Sequence, residues 1–260
     1  MSYLNIKPIL VSSILASFLL TACGEENLNE SSELASDINF PSAVTDALLA
    51  PSNNLTQEVK NTLSYMGNEE RLAYDVYMKM NEYYPDIMQF EKIAQNGEKQ
   101  HILAMQELIK KYVSSYDDFT NIDLTPLSYF DTEIEDMEAG VYDISTIQNL
   151  YDSLIAIGGE SNIKALEVAC MIEVIDVNDL DHDISIAEES NADDVVAVFN
   201  FLRDGSYSHY WAFDKGLINL GITDGCCSLG EDYCRPDYPT NEKGNSSGSQ
   251  DGQGQQHARQ

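Results

Sequence analysis

Residues 66–77 read Met-Gly-Asn-Glu-Glu-Arg-Leu-Ala-Tyr-Asp-Val-Tyr. At 3.6 residues per turn, Leu63, Met66, Glu70, Ala73, Tyr77 and Met80 form one stripe, with a carboxylate where the period calls for an apolar side chain. The stretch predicts a helix capped by Thr56, with Glu58 in its first turn, and stopped by Pro85. Working outward, a second run from about Asp86 to Val113 places Phe90, Ile93, Ala94, Glu98, His101, Met105 and Leu108 on one face. A connection of about thirty residues follows, with Pro126 and Gly140, longer than neighbouring elements usually need. It ends in a short amphipathic segment around Ile147, Leu150, Leu154 and Ile157. Gly158 and Gly159 break that segment. Ser161 then caps a third helix with Ile163, Leu166, Cys170, Glu173, Val177 and Leu180 on its stripe. Asn191, with Asp193 and Asp194 in the first turn, opens a fourth carrying Val195, Val198 or Phe199, Leu202, Ser206, His209 and Phe213, and Gly221 closes it. No strand-like alternation competes, so residues 56–222 predict an all-α bundle of four main helices with the long connection between the second and third.

The interruptions of the apolar stripes carry the chemistry. Glu70, Glu98, His101, Glu173 and His209 all occupy inward positions on four different helices. A buried carboxylate without a partner costs several kcal/mol, so groups like these should share a cation. Carboxylate oxygens mixed with imidazole suit iron, manganese or zinc. Glu98-x-x-His101 adds geometry, because residues three apart on a helix project side by side. Plainer readings stand beside this one. The two histidines would also serve as hydrogen-bonded interior residues, and Glu70 and Glu173 as bundle-end groups reaching water. Glu69, Glu167 and Asp75 lie off the stripes and read as a solvated face. Tyr77 reads as core filling, with a hydrogen bond to a ligand carboxylate as its alternative role. Cys170 reads as a small hydrophobe rather than a soft ligand. His182 falls in an expected loop and His257 in the tail, and neither takes a role.

Taken together, Met66 to Tyr77, Ile93-Ala94 through His101, Leu150-Tyr151-Asp152, Ile172-Glu173 through Leu180 and Gly205-Ser206-x-x-His209 resemble the ferritin-like di-iron carboxylate superfamily, which includes rubrerythrins. The resemblance is nearest to an uncharacterised prokaryotic branch catalogued as a ferritin-like domain of unknown function. It implies a ferritin-like four-helix bundle with a two-metal centre. Glu70 and Glu173 would be carboxylate ligands, Glu98 a bridge, and His101 and His209 terminal imidazoles. It also implies di-iron oxidoreductase chemistry, oxidation of ferrous ion or reduction of peroxide, with no organic cofactor. The sequence departs from that pattern on the fourth helix, where Ser206-x-x-His209 stands in place of Glu-x-x-His. Asp176, three residues after Glu173, or a water would then replace the absent carboxylate. A single or zinc-loaded site, in a non-catalytic surface protein that binds a metal or a partner, is the alternative.

The ends of the chain concern location. Lys7, the apolar run Ile9 to Leu20 and the closing Leu20-Thr21-Ala22-Cys23 resemble a bacterial lipoprotein signal. That implies removal of residues 1–22, lipidation of Cys23 and an extracytoplasmic, membrane-anchored protein. Gly24 implies the outer membrane where two membranes are present. Residues 23–55, rich in Asn, Ser, Glu and Asp with Pro41 and Pro51, predict a disordered acidic tether. Residues 223–260 predict a Cys-containing extension and a disordered tail. Export permits disulfides, and Cys226 or Cys227 bonded to Cys234 would pin the extension, leaving the odd thiol free or paired with Cys170. With 44 acidic against 14 basic residues and a net charge of −30, the chain has no basic cluster to hold a phosphate backbone, so nucleic acid is not a partner. The membrane is then the only partner the sequence names, and the oligomeric state stays open.

Overall fold

Thr56 caps the helix predicted from the quoted stretch, its hydroxyl accepting from the Val59 amide at 3.3 Å. The computed structural model describes residues 40–112 and 132–240, which form α1 (Ser42–Leu49), α2 (Gln57–Tyr83), α3 (Met88–Ile93), α4 (Lys99–Tyr112), α5 (Ser145–Gly158), α6 (Asn162–Glu189) and α7 (Asp193–Asn219). No strand occurs among the described residues, and none of their helices is long and apolar enough to cross a membrane. The signal segment, Cys23, most of the tether, residues 113–131 of the long connection, and the tail from 241, with His257, lie outside them.

Four long helical runs enclose the core, as the stripes predict: α2, α3 with α4, α6 and α7. Leu63, Met66, Val76, Tyr77 and Met80 of α2 are fully buried. Of these, Val76, Tyr77 and Met80 share one apolar interior with Phe90 of the second run, Cys170 and Val177 of α6, and Phe213 and Leu217 of α7. Between α3 and α4 the backbone makes a π-helical turn at Ala94–Glu98. Such a turn inserts one residue into the helical register, and it is common at functional positions. It lets Phe90, Ala94, Glu98 and His101 all face inward along one continuous run.

Several local expectations are corrected. Asn191 does not cap α7. It sits at φ 54°, the left-handed residue of a Schellman stop to α6, with Ala192 N donating to Ala187 O (2.9 Å) and Asn191 N to Glu188 O (3.0 Å). Asn tolerates that conformation because its short polar side chain can bond locally. Gly221, at φ 92°, ends α7 in the same way. Helix α6 runs past Leu180 to Glu189, so His182 lies on a helix and not in a loop. The stretch read as tether contains α1, whose Val44 is buried and whose neighbour Phe40 stacks edge-on against Phe201 of α7 at 6.2 Å. Lys111 of α4 holds α1 through Ala47 O (3.0 Å) and also bonds Asp194 of α7. A few apolar residues suffice there because the larger bundle supplies their partner surface.

The described end of the long connection is fastened to α2. Arg71 donates to Glu138 O (2.6 Å) and Val141 O (2.9 Å), and its guanidinium lies 4.7 Å from the centre of the Tyr142 ring. Asp75 accepts from Gly140 N (2.9 Å) and Tyr142 Oη (2.7 Å). Asp75 is thus buried as an anchor and is not part of a solvated face. After α7, short 3-10 turns at Gly225–Leu229 and Glu231–Tyr233 carry two disulfides, Cys170–Cys226 and Cys227–Cys234. Cys170 therefore ties α6 to the extension.

The two bridges close loops of different size, with sequence separations of 56 and 7. Cross-linking entropy grows with the logarithm of loop length, which assigns about 4 kcal/mol to the first and about 2.5 to the second. The double variant Cys170→Ala/Cys226→Ala is expected to lower unfolding free energy in urea by more than Cys227→Ala/Cys234→Ala, by about 1–2 kcal/mol. An equal or reversed order would show that native contacts, not chain entropy, set the contribution of these bridges.

Candidate metal centre

Four helices bring five side chains to one buried point. Glu70 comes from α2, Glu98 from the last position of the π turn, His101 from the first turn of α4, Glu173 from α6 and His209 from α7. Each is at most 8% exposed. His101 Nδ1 lies 2.9 Å from Glu70 Oε2 and 3.1 Å from Glu98 Oε2. His209 Nδ1 lies 3.0 Å from Glu98 Oε1 and 3.6 Å from Glu173 Oε2. Two overlapping groups result, Glu70–Glu98–His101 and Glu98–Glu173–His209, each with ligand atoms within 4.8 Å of one another. Glu98 belongs to both.

The donor set fits a cation better than it fits itself. His101 Nδ1 and Glu70 Oε2 are hydrogen-bonded at 2.9 Å, whereas Glu70 Oε1 is buried without a partner and Glu98 Oε1 and His209 Nδ1, 3.0 Å apart, are poorly aligned as acceptor and donor. Two ligand atoms each ~2.1 Å from a metal at right angles stand ~3 Å apart, so close approach without hydrogen-bond direction is the spacing of ligands around a common centre.

Glycines set the imidazoles. A Cβ on Gly97 would stand 2.3 Å from His209 Nε2, and one on Gly205 would stand 2.2 Å from His101 Nε2. Each glycine precedes one inward histidine by four residues and backs the other across the helix pair, so both rings rest on bare backbone and turn Nδ1 toward the carboxylates. The ring centroids are 5.4 Å apart. A helical glycine costs about 1 kcal/mol against alanine. Two of them at one offset from two inward histidines mark the pair in the sequence, a signal that apolar spacing does not carry.

The surroundings hold the carboxylates. Tyr77, fully buried against Phe90 and Phe213, donates a hydrogen bond to Glu173 Oε1, which leaves Oε2 on the His209 side. Ser206 donates to Asp176 Oδ2 at 2.6 Å. Asp176 is buried next to the centre but stands in neither ligand group. Glu69, expected on a solvated face, is 7% exposed and joins Glu70, Glu98, Glu173 and Asp176 around a cavity of about 20 Å³. That is room for one water-sized occupant. Ala73, Leu150 and Leu154 form its apolar wall. Glu167 keeps its surface role, paired with Lys164 at 2.5 Å.

Protons neutralise this cluster. Burial pushes the Glu173 carboxyl up to about 7, with the Glu98 charge adding to the rise and His209 opposing it. Burial and the Glu70 charge raise Asp176 against the Ser206 hydrogen bond, and burial raises Glu70 against the pull of His101. Burial alone would raise Glu98, but the adjoining imidazoles hold it below the ordinary range. Burial would lower both histidines. The carboxylates prevail, raising His101 through Glu70 and Glu98, and His209 to about 10 through Glu98 and Glu173.

An all-helical fold with a buried carboxylate–imidazole cluster defines a protein whose core can hold metal ions. The chain belongs to the family described as "Uncharacterized protein domain (DUF2202)", which matches residues 59–232 and so contains all five ligand candidates. It is 30% identical over 172 residues to uncharacterised protein MJ0754 of Methanocaldococcus jannaschii, covering 66% of this chain and 81% of that one. The crystal structure of hypothetical protein MJ0754 from Methanococcus jannaschii is similar in fold, with a TM-score of 0.54 at 28% identity over 66% of this chain and 86% of that chain.

Two outcomes follow from this geometry. Glu173 and His209 bind protons more readily folded than unfolded, Glu173 between pH 4.5 and about 7, His209 between 6.5 and about 10. Their effect has one sign: the chelator-treated protein loses stability as pH rises through both windows. A bound cation takes the place of those protons, so the urea midpoint of the loaded protein should fall less from pH 5 to 9. A midpoint of the chelated protein that rises over this range would contradict the burial of these groups. In Gly205→Ala the new methyl collides with His101, so affinity for Co²⁺ should drop at least about ten-fold while the helical circular dichroism persists. Unchanged affinity would mean that the imidazole is not fixed by the glycine.

Proposed function

We propose that this chain is a lipid-anchored, extracytoplasmic ferritin-like protein whose core holds two cations, iron first, with manganese or zinc as alternatives. The observation that carries the reading is the position of Glu98. Its two oxygens face two different imidazoles at 3.1 and 3.0 Å, as a bridging carboxylate requires. Glu70 and Glu173 stand outside this bridge, one beside each histidine. The connection between α4 and α5, long for a compact bundle, supports ferritin-like topology. Two disulfides among the described residues support an oxidising compartment, in keeping with the signal-like segment that ends at Cys23.

Iron bound there supplies redox chemistry, the oxidation of ferrous ion or the reduction of peroxide. The chain's own residues do the rest. Tyr77 fixes one oxygen of Glu173, Phe90 and Phe213 pack against the Tyr77 ring, and the glycine-backed rings keep Nδ1 directed inward. One observation favours a second reading. Ser206 offers a hydroxyl bound to Asp176 where the first half offers the carboxylate of Glu98, which suits a single structural cation in a non-catalytic surface lipoprotein.

Metal analysis of protein purified without chelator separates the two. About two iron or manganese ions per chain are expected, with a ferric charge-transfer absorption after ferrous loading in air. Glu98→Ala and His101→Ala should each abolish uptake while leaving the helical signal intact. Full metal retention in both variants would overturn the site, and one zinc without the ferric absorption would transfer the reading to the structural alternative.

A further inference from the structure

Glu69 has no place in the centre just described, yet it is buried. It stands beside Glu70 on α2, more than nine-tenths covered, and its Oε2 is buried with no hydrogen-bond partner. Its carboxylate lines the same cavity as Glu70, Glu98, Glu173 and Asp176. Its other contacts are Tyr65, one turn earlier on α2, and, across from it on α6, Asp179, each within hydrogen-bond reach of the carboxyl. Asp179 is partly exposed, whereas Asp176, one turn earlier on the same helix, is buried. A series of acids therefore runs from the partly solvated Asp179, through Glu69, across a water-sized space, to the ligand carboxylates.

A buried carboxyl oxygen left without a partner costs free energy in a dry interior. A cation that visits the position removes it. The cavity of about 20 Å³ accommodates a divalent ion stripped of most of its water. The strongly acidic surface of a chain with a net charge of −30 raises the local concentration of such ions. We propose that Glu69 and Asp179 form a transit site for divalent cations, which hands them across the cavity to Glu70 and Glu98. The inference rests on the metal-centre reading and adds to it a route and two residues that act on loading, not on holding.

Stopped-flow uptake of Co²⁺ by the chelator-treated protein tests it, read by the ligand-field absorption of the centre, with the end-point stoichiometry measured separately. Glu69→Gln and Asp179→Asn should each slow uptake at least about ten-fold while the final number of ions bound stays that of the unaltered protein. Uptake within two-fold of the unaltered protein in both variants overturns the transit site and leaves the centre standing. A lowered end point in Glu69→Gln also overturns it, since Glu69 would then be a ligand. Should Glu69→Gln not fold, Asp179→Asn, at a partly exposed position on α6, decides alone. An unaltered protein that takes up no Co²⁺ overturns the metal-centre reading itself, and the transit site with it.

Discussion

Glu98 carries the constraint on which the rest of the structure depends. Its carboxylate is buried between two imidazoles, with Glu70 and Glu173 beside them, so three carboxyl groups occupy an interior closed to solvent. Such an arrangement persists only if positive charge is shared among them, as protons on the histidines or as metal ions. Every nearby feature follows from the need to place that charge. Because Glu98 contributes one oxygen to each histidine, a small displacement of its helix disturbs both ligand groups together, and the scaffold is built to prevent that displacement.

Three devices hold it. The π turn ends on Glu98 itself, so the register shift that brings it inward is local to the site. Gly97 and Gly205 let the second helical run and α7 approach until each backbone touches the other's histidine. Cys170 lies one turn before Glu173 and is bridged to Cys226, which fastens the α6 end of the cluster to the extension beyond α7. The helical glycines and the buried acids lower stability locally. The apolar interior around Phe90, Phe199 and Phe213 and the disulfide offset that cost elsewhere, the division expected where a site is functional.

The helices and the candidate ligand residues were legible because burial writes a period into the sequence. Glu70, Glu98, His101, Glu173 and His209 stood out only because each broke an apolar stripe, and the structure brings all five together. What the stripe does not encode was missed. Asp75 and Glu69 sit at the flanks of the stripe on α2, positions whose period does not tell solvent from a neighbouring segment; the connection around Gly140 and Tyr142 covers one, and α6 covers the other. Asn191 reads equally as the start of one helix or the end of the one before, since its side chain suits both positions. Helix α1 has too few apolar residues to show a period and takes its order from the surface it meets.

The departure at Ser206 looks different once the two halves are compared. The first pairs Glu70-x-x-Ala73 on α2 with Glu98-x-x-His101, and the second pairs Glu173-x-x-Asp176 on α6 with Ser206-x-x-His209 on α7. Each half thus has one small residue and one acid at matching positions, with the two exchanged between helices. Ala73 and Glu98 line one cavity, while Asp176 reaches across to Ser206 and accepts its hydroxyl at 2.6 Å. Glu98 lines the same cavity as Ala73 and faces both histidines. Asp176 arrives from the opposite helix and stops at Ser206, outside both ligand groups. The two halves therefore hold equal numbers of carboxyl groups, and Glu98 is the one residue common to both Glu/His groups among the described residues.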